Sequence, residues 1–343
     1  MRFVTLANTL GDRYRHSVLA LDGDYTCARR LAADVCVRYE TIGAPKQATL
    51  GNVRRFRRRL RELAPDVLIT HNWGAIEWAM ANVPPLARHI HIEDGFGPEE
   101  RSAQIRRRVL TRRLVLSRST VVLPSRTLWR IATETWRLDP SRVRYVPNGI
   151  DRDRFTQVEH MARDVVVVGT VAGLRTEKNI GRLLHAFRPV SQAVPARLHI
   201  VGDGPERRGL QDLVLRLGLD RHVEFMGQVN DPATLYRGFD VFALSSDTEQ
   251  MPLSVLEAMA SGLPIAATDV GDVSAMVADE NRAFVTPLDP APLAGAITTL
   301  ARDPVLRARL GAANRVKVRA DFELGTMIAT YAALIGSAAP GRE

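Results

Sequence analysis

Two glutamates, Glu249 and Glu257, stand eight residues apart in the passage SSDTEQMPLSVLEAMASGLPIAATDVGD, Ser245 to Asp272. Pro252 suits a first helical turn, LSVLEAMA is a good helix and Gly262 is placed to end it. Glu249 then lies in the loop before the helix, and Glu257 about one and a half turns inside it. Free N–H groups at a helix start can hold phosphate or sugar oxygens, while carboxylates accept hydrogen bonds from hydroxyls. The chemistry implied is recognition of a polar, anionic ligand. On spacing alone, an ordinary acidic surface helix fits as well.

A second concentration of reactive groups is HIHIEDGFGPEE, His89 to Glu100. His89 and His91 project to one face of a strand, but no third ligand stands at metal-binding spacing, so no metal site is expected. The strand-end place belongs to Glu93 or Asp94, with His91 behind. Asp94 is the first choice to face a ligand, and the alternative is that it bonds the turn's amides while Glu99 and Glu100 pair with arginines. His71 and Asn72, after DVLIT, end another strand. Ser125, after TVVLP, ends a third and reads as the N-cap of the next helix.

These residues need elements to position them. HSVLALDG, PDVLITH, RHIHIED and STVVLPS read as short strands, with helices between, among them Val53 to Leu63 and Gly74 to Ala81. The second half continues with VVVVGTVAG, ARLHIVGDG, HVEFMGQ, DVFALSS, LPIAATDVG and RAFVTPL. Apolar strands alternating with helices indicate parallel sheets covered on both faces, whose ligands gather at the carboxyl ends of the strands. At 343 residues the chain is long for one core. Two doubly wound domains facing a cleft are expected, joined near VRYVPNGIDRDRF (Val143 to Phe155): residues 1–150, then 151–325, with 326–343 a helix crossing back to the first.

No apolar run reaches the roughly 18 residues of a membrane span, and no signal peptide precedes the first helical pattern, which implies a cytoplasmic protein. Cys27 and Cys36 suit two reduced thiols in packing roles. The net charge of +9 is uneven: residues 1–150 hold 26 Lys+Arg against 14 Asp+Glu, and residues 151–343 hold 21 against 24. Two arginine-rich segments carry it, VRRFRRRLREL (Val53 to Leu63) and IRRRVLTRRLVL (Ile105 to Leu116). In the first, apolar residues at helical spacing leave Arg54, Arg55, Arg57, Arg58 and Arg61 mostly toward solvent. Both segments read either as solvated helix faces or as basic surfaces attracted to anionic headgroups or a phosphate-bearing substrate, at the inner face of a membrane. Nucleic acid is disfavoured, because little aromatic interleaving accompanies the arginines.

Taken together, Glu249, seven residues, Glu257 and then AMASGLPIAATDVGD resemble the donor-binding signature of the family 4 glycosyltransferases, which are retaining, sugar-nucleotide-dependent enzymes of GT-B fold. VPNGIDRDRF, GTVAGLRTEKNIGRLLHAF, LHIVGDGPER and VEFMGQV appear in the family's order, so the resemblance spans about Val143 to Pro287, and more weakly Asp66 to Ser125. It implies that Glu257 binds the nucleotide ribose hydroxyls and Glu249 the donor sugar. Gln250, Met251, Pro252 and Leu253 then match the loop facing the donor, and Lys178 the lysine that neutralises the diphosphate. The arginine that usually accompanies this lysine would fall at Gly173, with Arg175 the nearest substitute. Phe225 to Val229, centred on Gly227, matches the wall for the base.

The resemblance also implies a first domain that holds the acceptor. There His71, Asn72, Glu93 and Ser125 line the cleft, and Asp94 or His91 meets the donor sugar. No cofactor or metal is implied, since Lys178, Arg175 and a helix start can stabilise the leaving diphosphate. The expected partners are a nucleotide sugar, UDP- or GDP-linked, and a glycan or lipid-linked acceptor of the cell envelope. A sugar-nucleotide epimerase of the same fold and a non-catalytic nucleotide-sugar binder are the alternatives. Relatives begin with a strand and a glycine-rich loop, whereas Phe3, Leu6, Ala7 and Leu10 sit at helical spacing. A first helix without that strand and loop is therefore expected here.

Overall fold

The computed structural model describes residues 2–45, 48–96, 98–100, 103–155, 164–229, 231 and 233–336. The chain forms two compact units, one of Met1–Val146 with Gly325–Glu343 and one of Pro147–Leu324.

The first unit opens on the helix α1 (Arg2–Leu10), which buries Leu6, Ala7 and Leu10 as expected, with Val4 buried and Phe3 only half-buried. HSVLALDG supplies only a three-residue strand, β1 (His16–Val18), which pairs in parallel with β2 (Val37–Tyr39). This corrects the expectation of a strand in the main sheet, and the reason is local. Both strands are half-buried or exposed, so no apolar run drives them into a covered sheet.

The helix α2 (Thr49–Leu63) buries Phe56 and Leu60. Phe56 stacks on Trp78 of α3 (Ile76–Ala81) at 4.3 Å between ring centroids. The main sheet is parallel and runs in chain order: β3 (Val67–His71), β4 (Arg88–Ile92), β5 (Thr120–Leu123) and β6 (Val143–Tyr145). Between its strands lie α3, α4 (Arg106–Val115) and α5 (Arg126–Arg130).

The second unit carries a six-stranded parallel sheet. Its elements in chain order are β7 (Val166–Val171), α6 (Ile180–Ala193), β8 (Ala196–Val201), α7 (Arg207–Leu217), β9 (Val223–Gly227) and α8 (Ala233–Tyr236). Then come β10 (Val241–Leu244), α9 (Leu253–Ala260), β11 (Ile265–Thr268), α10 (Val273–Met276), β12 (Val285–Thr286), α11 (Pro290–Arg302) and α12 (Pro304–Asp321). The spatial order β12-β11-β10-β7-β8-β9 is that of a doubly wound nucleotide-binding sheet, reversing direction between β7 and β10.

Strand periodicity explains why both faces are covered. Phe242, Leu244, Ile265 and Ala267 pack into one core with α9, while Val241, Ala243 and Ala266 pack into the other with α6 and α11. The last helix, α13 (Leu324–Gly336), belongs almost wholly to the first unit. Arg88 of β4 donates to its final carbonyls, at Leu334 (2.5 Å) and Ile335, which places a cation at the negative end of the helix.

Candidate active site

The carboxyl ends of β7 and β10 meet at the switch point of the second unit, and the site is built on the loops that follow them. After β7 the chain makes a short turn, Thr176–Lys178, and Asn179 then opens α6 as a left-handed N-cap whose side chain accepts from the Arg182 amide. Arg182 reaches across to the loop after β10, donating to Asp247 (2.6 Å) and to the Ser245 carbonyl (2.8 Å). Asn179 Nδ2 donates to Asp247 as well, at 3.0 Å. The two loops are thereby pinned together by a charge-assisted, nearly buried pair.

On this support Lys178 Nζ donates to Glu249 Oε1 at 2.5 Å, and Ser246 Oγ donates to the same oxygen at 2.8 Å. Glu249 is mostly buried and Lys178 about three-quarters so, leaving part of the ammonium open. An ammonium has three donors, so a bond to Glu249 leaves capacity for phosphate oxygens.

Glu249 and Gln250 are held from behind by Gly271. A Cβ added there would meet the Glu249 carbonyl at 2.2 Å and that of Gln250 at 2.8 Å, and the residue's φ is +58°. Only glycine permits that approach in that conformation. The Asp272 amide donates to the Gln250 carbonyl, and Asn148 donates through its side chain to the Met251 carbonyl. Met251 and Pro252 are buried, and α9 starts at Leu253, one residue after the proline. Its first N–H groups point back toward the Glu249 loop, as expected at a helix start.

Glu257 lies one turn into α9 and accepts a 2.7 Å hydrogen bond from the Tyr236 hydroxyl. Burial raises the Glu257 carboxyl above its ordinary value, and the Tyr236 hydrogen bond pulls it part of the way back. Burial likewise pushes the Tyr236 phenol well up, so it stays a donor. Gly227, at φ +72°, ends β9 close to Arg207, whose guanidinium lies over Phe225 at 6.0 Å. Arg175 points outward, its side chain 68% exposed, with Glu177 at 4.0 Å. Its carbonyl accepts from the Lys178 amide at 3.0 Å, so the two residues share one turn while the guanidinium faces solvent.

In the first unit the ends of β3 and β4 come together. Asn72, at φ 55° and ψ 179°, is a non-glycine residue in a strained conformation of the kind found at functional sites. Its side chain accepts from the Asp94 amide at 2.7 Å, which fixes the turn after β4. The Asp94 carboxylate is 40% exposed and pairs with Arg2 of α1 at 2.7 Å. His71 and Asn72 are exposed at the same strand ends.

Three expected site residues turn inward instead. His91 has no exposed side-chain surface, and its Nδ1 lies 2.8 Å from Thr70 Oγ1. Thr70 also meets His89 Nε2 at 2.8 Å, and His89 Nδ1 meets Ser119 Oγ at 2.7 Å. Burial pushes His89 down to about 3, so this chain of groups is neutral at that ring. Ser125 is fully buried, and its hydroxyl accepts from the Leu128 amide as the N-cap of α5. Glu93 is fully buried too, with His91 Nε2 at 3.6 Å and Arg112 Nε at 3.4 Å.

Arg112 overturns the reading of the second arginine-rich segment as wholly surface. It is buried, pairs with Glu100 through two nitrogens at 3.1 Å each, and sits about 5 Å from the rings of Trp73, Phe96 and Trp136. Arg108 pairs with Glu99 and Glu100. The glutamates of HIHIEDGFGPEE thus fasten the loop after β4 to α4, as in the alternative reading of that stretch. Cys36 is exposed rather than packed, and Cys27 is half-buried; both are free. Among the described residues no group of three or more His, Cys, Asp or Glu is arranged to hold a metal ion.

Residues 2–154 match the family model described as Glycosyltransferase Family 4, and residues 162–303 match Glycosyl transferases group 1. The chain belongs to glycosyltransferase family 4. Its fold is GT-B. Among relatives, it is 28% identical over 162 residues to the N-acetyl-alpha-D-glucosaminyl L-malate synthase of Bacillus anthracis, covering 47% of this chain and 42% of that protein. It is 26% identical over 302 residues to the D-inositol 3-phosphate glycosyltransferase of Corynebacterium efficiens, covering 79% and 71% respectively. The chain therefore spans less than half the length of the first of these relatives. Among solved structures, Anabaena HepE in complex with UDP-glucose superposes with a TM-score of 0.81 at 19% identity, over 98% of this chain and 94% of that one.

Tyr236, Ser246, Arg182, Asp247 and Gly271 were not identified from the sequence as parts of the site. Ser246, Asp247 and Gly271 lie within the quoted passage Ser245 to Asp272 and Arg182 within GTVAGLRTEKNIGRLLHAF, while Tyr236 falls outside every quoted motif.

Proposed function

We propose that this protein is a retaining glycosyltransferase that moves a sugar from a nucleoside-diphosphate sugar, UDP- or GDP-linked, to an acceptor of cell-envelope glycan or glycolipid assembly. The observation that carries the reading is the Lys178–Glu249 pair beside the start of α9, a cation and an acceptor held side by side at the switch point of a nucleotide-binding sheet. The ammonium and the helix N–H groups oppose the charge that develops on the departing diphosphate. Glu249 accepts hydrogen bonds from donor-sugar hydroxyls, and Glu257, aimed by Tyr236, accepts from the ribose. Gln250 to Leu253 line the donor, and Gly227 with Phe225 forms the wall for the base. HepE, solved with UDP-glucose, supports a uridine donor by likeness of fold.

On the first unit Asp94, His71 and Asn72 are the exposed groups offered to the acceptor and the donor sugar, and buried His91 acts behind them through Thr70. Retention follows if the leaving phosphate takes the acceptor proton, so no second carboxylate is required. The surplus of positive charge in residues 1–150 supports an acceptor on a phospholipid surface.

Proton NMR of a reaction with a panel of donors and acceptors tests the proposal. The expected outcome is nucleoside diphosphate and glycoside in equal amounts, only with acceptor present, and with the donor's anomeric configuration kept. Conversion of donor without acceptor would make the protein an epimerase, and donor binding without turnover under any acceptor would make it a binder.

A further inference from the structure

The helix α4 carries apolar residues on two sides: Val109 and Val115 pack against the core of the unit, and two leucines face out. Its inward side carries Arg108 and Arg112, engaged with Glu99, Glu100, Glu93 and three aromatic rings, while Leu110 and Leu114 face outward at 56% and 64% exposure. A helix whose outer face met only water would not be expected to set two leucines side by side on it. One turn apart, the two leucines lie about 40° from each other around the helix axis and form one ridge. Arg106 and Arg113 flank the ridge on one side and Arg107 on the other, all exposed. Arg118, also exposed, follows just past the helix end. Arg106–Val115 contains no carboxylate, and Glu99 and Glu100 are occupied by the inward arginines. The arginines of α2 differ, because Arg58 and Arg59 pair with Glu62 and Glu40.

We infer that the outer face of α4 is an interfacial membrane anchor, with Leu110 and Leu114 entering the headgroup–acyl boundary of an anionic phospholipid layer and the flanking arginines binding its phosphates. Exposed leucines bordered by arginines and free of acid are complementary to such a surface in both charge and polarity. The buried Arg112 network fixes the helix on the body of the unit, so the ridge is presented rigidly. No helix among the described residues is long and apolar enough to cross a membrane, so the contact is peripheral. The inference rests on the proposed lipid-side acceptor for its purpose, and its test reads lipid binding separately from transfer.

Co-sedimentation of the full chain with phosphatidylglycerol-containing and with pure phosphatidylcholine vesicles is the experiment. Native protein is expected to bind the anionic vesicles, less tightly as salt rises, and the neutral ones weakly. Leu110→Ser/Leu114→Ser should bind roughly tenfold more weakly, because two partly inserted leucines are lost. Arg106→Gln/Arg107→Gln/Arg113→Gln should lose roughly a hundredfold, about fivefold per arginine. Both variants should release nucleoside diphosphate in vesicle-free solution at the native rate. As an independent readout, the emission of Leu110→Trp should move to shorter wavelength on anionic vesicles. Native-like binding by the leucine variant, equal binding of native protein to neutral vesicles, or a native dimer dissolved by the leucine variant would each overturn the inference. The last result would assign the ridge to a second copy of this chain.

Discussion

Replacing Tyr236 by Phe removes a single buried hydroxyl. The ring is packed among Phe155, Phe239 and Phe242 at centroid distances of 5.9, 5.8 and 6.0 Å, and phenylalanine keeps that packing. What is lost is the 2.7 Å donation to Glu257 Oε2, with the Ser254 carbonyl a weaker second acceptor at 3.3 Å, inside a region where the phenol is fully buried. A hydrogen bond to a charged group is worth about 1.5–3 kcal/mol, and relief of the buried hydroxyl's own desolvation offsets part of that. A net loss of about 1–2 kcal/mol at neutral pH is expected, which lowers the melting temperature by roughly 2–8 °C for a unit of this size.

The pH dependence has a definite sign. The Glu257 carboxyl is raised by burial above its ordinary value of 4.5, so charging it costs stability as pH rises through the raised value, and that cost is absent below 4.5. Removing the phenol raises the carboxyl further. The Tyr236→Phe defect should therefore be present at pH 7 and fade in acid. Ribose hydroxyls need the ionised acceptor, so the acid limb of nucleotide affinity should move to higher pH, with affinity near neutrality lowered about tenfold. Thermal melts at two pH values and calorimetric titration with nucleoside diphosphate across pH check both. Equal melts at both pH values together with an unmoved acid limb would refute the reasoning.

Three further outcomes are expected. Gly271→Ala should cut nucleoside diphosphate release strongly, because its Cβ would push the Glu249 and Gln250 carbonyls away from the loop that holds the donor; release kinetics with a melt as control show it. Arg112→Met should destabilise the chain by about 3–5 kcal/mol, leaving Glu93 buried without its cation and Glu100 with Arg108 alone, as a shift in urea midpoint will report. Asp94→Asn removes a carboxylate that is 40% exposed and pairs with the largely buried Arg2, so stability should fall modestly, and turnover should fall at least tenfold while nucleotide affinity stays native.

The second unit was legible because its strands are apolar on both faces and closed by glycine or polar turns, so periodicity and punctuation agreed. Glu249, Glu257 and Lys178 were legible for a different reason: the loop-then-helix pattern around PLSVLEAMA fixes where carboxylates stand relative to free helix N–H groups. Their partners were hidden. Tyr236 lies 21 residues from Glu257, and Arg182 lies 65 from Asp247, with nothing in the local pattern to join them. Arg112 shows the limit most clearly. Within RRRVLTRR every arginine looks alike, and only the carboxylates and aromatic rings brought by the turns after β3 and β4 and by the stretch after α5 decide which one is buried. In HIHIEDGFGPEE the alternation of strand side chains was visible, but which face closed over was decided by Thr70 and Ser119 of neighbouring strands.

The most direct test of the central claim compares nucleoside diphosphate release from a donor panel by native protein, Lys178→Ala and Glu249→Ala, each shown to be folded. Native protein should release nucleoside diphosphate in the presence of acceptor, and each substitution should lower turnover by about a hundredfold or more, as expected for loss of a group that stabilises the leaving charge or holds the sugar. Full activity in both variants would contradict the assignment of the site.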